Sequence, residues 1–317
     1  MSDNNVDSPK KEKGWLYSDI YDKPNIEKNP LPRLSIFKFG SFGDVLTNGG
    51  KLVVQGLISS FLFIMLLLLL VAAATENNDQ YFLAAYEIVA LVCTTISVFL
   101  VVKIFDDSNI SELGLQLNRQ AFLDFLFGFI IIFLIFALEF LFLWATGLLK
   151  IEHIAWETQS VASILPKIFG VLLIFIFVGW NEELLSRGFH LRIISKGLNR
   201  PLGIILSSAI FSYAHHNNPE ATPGYLLFIF IFGVMLSLAF LRTGQLWLAV
   251  GLHAGWDFCV TIFGGTAISD LKLFHLFEYR LEYNPLFYLF IKIIILSIIL
   301  ILIRVYTSNR NVGIPSW

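Results

Sequence analysis

Charge is what this chain has least of. Asp, Glu, Lys and Arg make up 15% of its 317 residues, against about 25% in ordinary soluble domains. The little charge is also unevenly spread: among 22 basic and 24 acidic residues, fifteen lie before position 52. A net charge of −2 leaves no basic footprint, so nucleic acid is excluded as a partner. Cysteine is nearly absent; Cys93 and Cys259 each sit inside an apolar run, so neither a disulfide framework nor a thiolate zinc site is expected. The first 50 residues hold no continuous apolar stretch of the kind a cleavable signal needs, and the first spanning helix is expected to act as the insertion signal. There is no HExxH motif and no internal repeat.

What the chain does have is apolar surface. Hydrophobic residues reach 56% and the mean hydropathy is +0.72, too much for one soluble core. The expected fold class is all-α, a polytopic membrane helical bundle of about eight transmembrane helices. A hydrocarbon layer of about 30 Å needs about 20 apolar residues per helix. Four stretches meet this clearly, at 52–74, 82–105, 122–149 and 287–306. Four more, at 168–196, 202–216, 225–242 and 246–263, are more compact and carry polar residues. Residues 1–50 read as a polar cytoplasmic tail whose part 34–50, with interleaved apolar residues, suits the membrane surface. Residues 51–150 hold three helices, 151–265 the compact helices that carry polar residues, and 266–317 a loop and a last helix. With the N-terminus inside, seventeen Lys and Arg fall on the inner side and four on the outer, Lys292 lying within the last helix. The positive-inside rule then places both termini in the cytoplasm, and a bacterial plasma membrane is the expected location.

Ionisable groups inside a span cost roughly 2.5–3.5 kcal/mol each on insertion scales, so each needs a reason. Three clusters occur, all in the compact helices. In Glu182-Glu183-Leu184-Leu185-Ser186-Arg187, Glu183 and Arg187 stand at i,i+4 and pair. Glu182, about 100° away around the helix, is left to project elsewhere as a candidate general base toward water. The bland alternative is a helix end reaching cytoplasmic water. Phe211-Ser212-Tyr213-Ala214-His215-His216 carries two imidazoles at a helix end, where a polar cap is the ordinary explanation. His253-Ala254-Gly255-Trp256-Asp257 puts an imidazole and a carboxylate on one face, either a helix-locking hydrogen bond or part of a site. Gly251, Ala254 and Gly255 on the same helix allow close approach of a neighbour. Counting from the turn near Gly197–Pro201, Glu182 and His215 both rise about 21 Å and His253 about 15 Å from its own turn. The matched depths favour one buried polar site.

Glu182-Glu183-x-x-x-Arg187, Phe211-x-x-x-His215 and His253-x-x-x-Asp257, in that order on successive apolar helices, resemble the CPBP family of intramembrane proteases. That family includes the type II CAAX prenyl endopeptidase and proteins described as lysostaphin-resistance or bacteriocin-immunity factors. The resemblance covers about residues 165–265. It implies Glu182 as the carboxylate that activates water and Glu183 and Arg187 as its support. His215, His253 and Asp257 would bind or polarise the scissile carbonyl, or hold a metal. The third motif often ends in Asn in the family, and here it ends in Asp257. On chemistry alone Glu182, His215, His253 and Asp257 suit zinc; the resemblance favours a metal-free site with no cofactor. The expected function is an intramembrane endopeptidase acting on a membrane-associated peptide or protein, with the lipid bilayer as its other partner. The alternatives are a non-catalytic membrane scaffold or bacteriocin-immunity factor of the same fold, and an ion-coupled transporter. Glu87 and Glu139, inside the second and third spans, are without an assigned role.

Overall fold

Each expected span forms a helix, and the boundaries follow local signals in the chain. The computed structural model describes residues 40–73, 79–105, 110–218, 221–263, 277–281 and 285–310, all within one compact unit. The polar tail at 1–33, the region 264–276 and the side chain of Glu87 lie outside the described residues. The helices are α1 (Phe42–Ala73), α2 (Asp79–Phe105), α3 (Arg119–Ala145), α4 (Val161–Glu183), α5 (Arg192–Gly197), α6 (Arg200–Ala214), α7 (Pro223–Thr243), α8 (Trp247–Ile262) and α9 (Pro285–Tyr306). A π-helical segment, Leu184–Leu191, joins α4 to α5.

Starts are set by short polar side chains that accept from the otherwise unpaired first-turn amides. Asn118 caps α3, Ser160 caps α4, Asn199 caps α6 and Thr222 caps α7, with Pro223 at the first position of α7. The α7 end is set by Gly244, which adopts φ 65°, a left-handed geometry that glycine enters without penalty.

Six helices among the described residues are long and apolar enough to cross a membrane, including the continuous run Val161–Gly197. Helix α6, with 15 residues, and α8, with 16, fall short of about 20. The shortfall of α8 has a physical reason. Almost all of α8 is buried against protein, packed on α3, α4 and α7, so it need not match the lipid thickness. The eight spans expected from composition are thus eight helical runs, six of full spanning length.

Two boundaries differ from the sequence expectation. Helix α1 begins at Phe42, so most of the stretch expected at the membrane surface is helix continuous with the first span. Helix α3 stops at Ala145, and Leu149–Ile154 forms a strand, β1, antiparallel to β2 (Phe277–Leu281). Leu149, assigned above to the third span, faces inward from this two-stranded pair.

Close contact between α3 and α8 positions the site. A Cβ on Gly251 would stand 2.1 Å from the Phe125 carbonyl oxygen, and one on Gly128 would stand 2.8 Å from that of Leu248. Only hydrogen at both positions lets the backbones approach this closely, which is how small residues work at membrane helix contacts. Helix α9 is tied to α3 at two levels. Asp124, wholly buried, accepts from Tyr306 at 2.9 Å and from Arg310 at 2.5 and 2.7 Å. Fifteen residues further along α3, Glu139 pairs with Lys292 at 2.6 Å. That pairing gives Glu139 a role the sequence did not assign.

Candidate active site

Helix α4 carries the first cluster at its C-terminal end, where the winding widens into the π-helical segment. Such segments are uncommon and frequent at functional sites. Glu183 and Arg187 pair here at 2.7 Å with both side chains essentially fully buried. Arg187 also donates to the Gly233 carbonyl on α7 at 3.1 Å and lies 4.3 Å from the centre of the Phe211 ring on α6. The pair is therefore the point where α4, α6 and α7 are pinned together. A side chain at Gly233 would crowd this contact, its Cβ meeting the guanidinium at 3.2 Å.

Glu183 has a second partner. Its Oε1 lies 2.8 Å from Nδ1 of His253 on α8, so the same carboxylate orients the imidazole. His253 is buried among apolar groups, with the Phe211 and Phe232 rings edge-on at 5.7 and 5.9 Å. His215, just past the end of α6, is held by the same device: its Nδ1 lies 2.8 Å from the Phe211 carbonyl oxygen. Both imidazoles thus have Nδ1 committed and Nε2 facing inward.

Glu182 is where the two Nε2 atoms converge. Its Oε2 lies 3.7 Å from His215 Nε2 and 3.8 Å from His253 Nε2, and among the described residues none hydrogen-bonds this oxygen. The Glu182 side chain is 33% exposed while that of Glu183 is 0% exposed, so one glutamate is structural and the other faces open space. Asp257, one turn beyond His253, places Oδ2 3.4 Å from the same Nε2. The structure therefore brings together Glu182, Glu183, Arg187, His215, His253 and Asp257. His216 is turned away: it is exposed and stacks on Tyr213.

These groups border a cavity of about 490 Å³ with mainly apolar walls from α4, α6, α7 and α8. Phe228, Phe232 and Trp256 form its packed aromatic side. At one end Asn218 donates to the Tyr225 hydroxyl at 2.8 Å across the connection between α6 and α7. Trp256 and His190, both on the cavity wall, carry no spacing signal of their own in the sequence.

The donor types at the site are ones zinc accepts, and imidazoles oriented through Nδ1 are usual at metal sites. Among the described residues, however, no three His, Cys, Asp or Glu side chains are arranged so as to hold a metal ion.

A multi-pass helical bundle with a cluster of carboxylates and imidazoles beside a mainly apolar cavity defines a membrane protein built around an internal polar site. Residues 164–259 match the family described as Type II CAAX prenyl endopeptidase Rce1-like. The matched segment contains every residue of the cluster and is similar to CPBP-type intramembrane proteases, which supports a membrane-embedded CAAX-type protease in general terms. No curated protein matches the chain.

Proposed function

We propose that this protein is an intramembrane endopeptidase whose catalytic core is 151–265, with Glu182 as the general base. The observation that carries the reading is Glu182 Oε2, without a hydrogen bond among the described residues, standing 3.7 and 3.8 Å from two pre-oriented imidazole nitrogens. The Glu182 side chain is 33% exposed and borders the cavity, which has room for a water and a peptide carbonyl.

In this mechanism Glu182 takes a proton from water as the oxygen attacks the scissile carbonyl carbon. The carbonyl oxygen becomes an oxyanion, which needs donors already in place. With Nδ1–H of each imidazole committed to an acceptor, Nε2 donates only when the ring carries its second proton. Asp257 beside His253, and Glu182 beside both rings, balance that charge. The departure from Asn to Asp at position 257 then has a use: it supports His253 as a charged donor instead of donating itself. On collapse the carbon–nitrogen bond breaks and Glu182 returns its proton to the leaving amine. Glu183 and Arg187 touch no reacting atom; they hold Glu182 and His253 in register. The substrate is a membrane-associated peptide or protein, and the charge distribution favours both termini in the cytoplasm.

The test is cleavage of a peptide library by purified protein in detergent, with and without a chelator. Glu182→Gln is expected to lower turnover by about 10²–10⁴-fold, the usual worth of general-base catalysis, while the unfolding temperature stays within a degree or two. Chelation is expected to leave wild-type turnover intact. Undiminished cleavage by Glu182→Gln rejects the assignment. A cellular phenotype that survives both Glu182→Gln and His215→Ala points to the scaffold or immunity reading.

A further inference from the structure

A peptide that enters a mainly apolar cavity leaves its water behind, and each main-chain N–H must then find another acceptor. The cavity walls come largely from α4, α6, α7, α8 and the π-helical segment, whose carbonyls are spent within the helices themselves. At the end of α6 the carbonyls are engaged too: that of Phe211 by His215 Nδ1, that of Ser212 by the His215 amide and that of His215 by the Asn218 amide. Acceptors for a bound peptide are therefore side chains. Glu182 and Asp257 face the imidazoles of the cluster. Asn218, just past α6 and half-buried, puts a neutral acceptor on the same cavity wall. Its Nδ2 donates to the Tyr225 hydroxyl at 2.8 Å, which fixes the plane of the amide. Its Oδ1 has no hydrogen-bond partner among the described residues, and this oxygen keeps accessible surface.

We infer that Asn218 is a substrate-binding residue whose Oδ1 accepts a hydrogen bond from one main-chain N–H of a peptide bound in the cavity. The assignment rests on the peptide-cleaving reading of that cavity. The Asn218 amide closes a turn on the His215 carbonyl at 3.2 Å, so the acceptor and a catalytic imidazole are carried by one short stretch of backbone. A cationic side chain is held better by the carboxylates of Glu182 and Asp257, because charge-assisted hydrogen bonds are the stronger ones. A neutral amide oxygen is matched instead to a neutral donor, and the main-chain N–H is the one that every residue except proline supplies. Such a contact orients the chain without reading its side chains.

The experiment is a backbone-ester scan. In a fluorescein-labelled peptide that the protein binds, one amide at a time is replaced by an ester, which removes the N–H and keeps the side chain. Binding to Glu182→Gln protein is read by fluorescence anisotropy, and turnover of the parent peptide is measured with wild-type protein. One ester position is expected to lose about three- to tenfold in affinity, the usual worth of one hydrogen bond. Adding Asn218→Leu is expected to abolish the loss at that position, whereas Asn218→Asp, which keeps an acceptor oxygen there, is expected to retain it. Each value is a ratio of ester to amide within one protein, so a general weakening by the substitution cancels. A flat scan, a loss that survives Asn218→Leu, or one that vanishes in Asn218→Asp as well overturns the assignment. Cleavage by wild type together with a flat scan removes the Asn218 contact and keeps the protease reading. The expected pattern in binding without cleavage keeps the contact and removes the protease reading, and the absence of any bound peptide overturns both.

Discussion

The buried Glu183–Arg187 pair offers the sharpest test of how this site is held together. Arg187→Met removes the guanidinium from a 2.7 Å contact and leaves the carboxylate of Glu183, which is 0% exposed, with His253 Nδ1 as a partner. It also removes the donor to the Gly233 carbonyl, although Ser237 still donates to that oxygen at 2.9 Å. Contact with the Phe211 face is lost too, worth about 0.5–2 kcal/mol. Stranding one member of a buried pair costs about 3–5 kcal/mol. Glu183→Gln strands Arg187 instead and costs about the same. The double variant Glu183→Gln/Arg187→Met buries no lone charge, so its cost is expected to be no larger than that of the worse single variant. Reversible unfolding in mixed micelles, followed by tryptophan fluorescence, gives the three values. Costs that add within about 0.5 kcal/mol would show the two residues to be independent, and the account of a pinned three-helix junction would be wrong.

Three further outcomes follow from the packing. Gly251→Ala is expected to destabilise by about 1–3 kcal/mol, as overpacking does, and to reduce cleavage, because its Cβ would meet backbone of α3 at 2.1 Å and shift the helix that carries His253. Gly170→Ala on α4 meets nothing within 4 Å and is expected to be neutral or to stabilise by up to about 1 kcal/mol; thermal melts of the two variants side by side check both. Lys292→Met is expected to cost about 3–5 kcal/mol by isolating Glu139, with part regained on adding Glu139→Gln; no recovery would show that Lys292 acts through its contacts with the Phe136 and Trp256 rings instead.

Membrane insertion, the eight helical runs and the three polar clusters were legible from composition and spacing, because lipid tolerates an ionisable group only where the protein has a use for it. The i,i+4 pairing of Glu183 with Arg187 is local helix geometry and could be read directly. So could the close approach allowed by Gly251, although its partner, α3, could not. The matched depths of Glu182, His215 and His253 rested on counting residues from turns, which works because a helix advances by a nearly constant rise. Asp124, lost among the apolar residues of a long span, shows its importance only when Tyr306 at the end of the last helix and Arg310 in the turn after it arrive.

Local periodicity and the cost of burying charge were thus enough to define a helical membrane protein and to nominate its polar residues. Tertiary packing alone decided that the Glu183–Arg187 pair is buried where three helices meet and that Glu182 stands beside imidazoles from two other helices. It also turned His215 and His253 by an acceptor at Nδ1. Those outcomes depend on contacts between helices far apart in the chain, and a side chain's partner across such a contact leaves no trace in the spacing of its own helix.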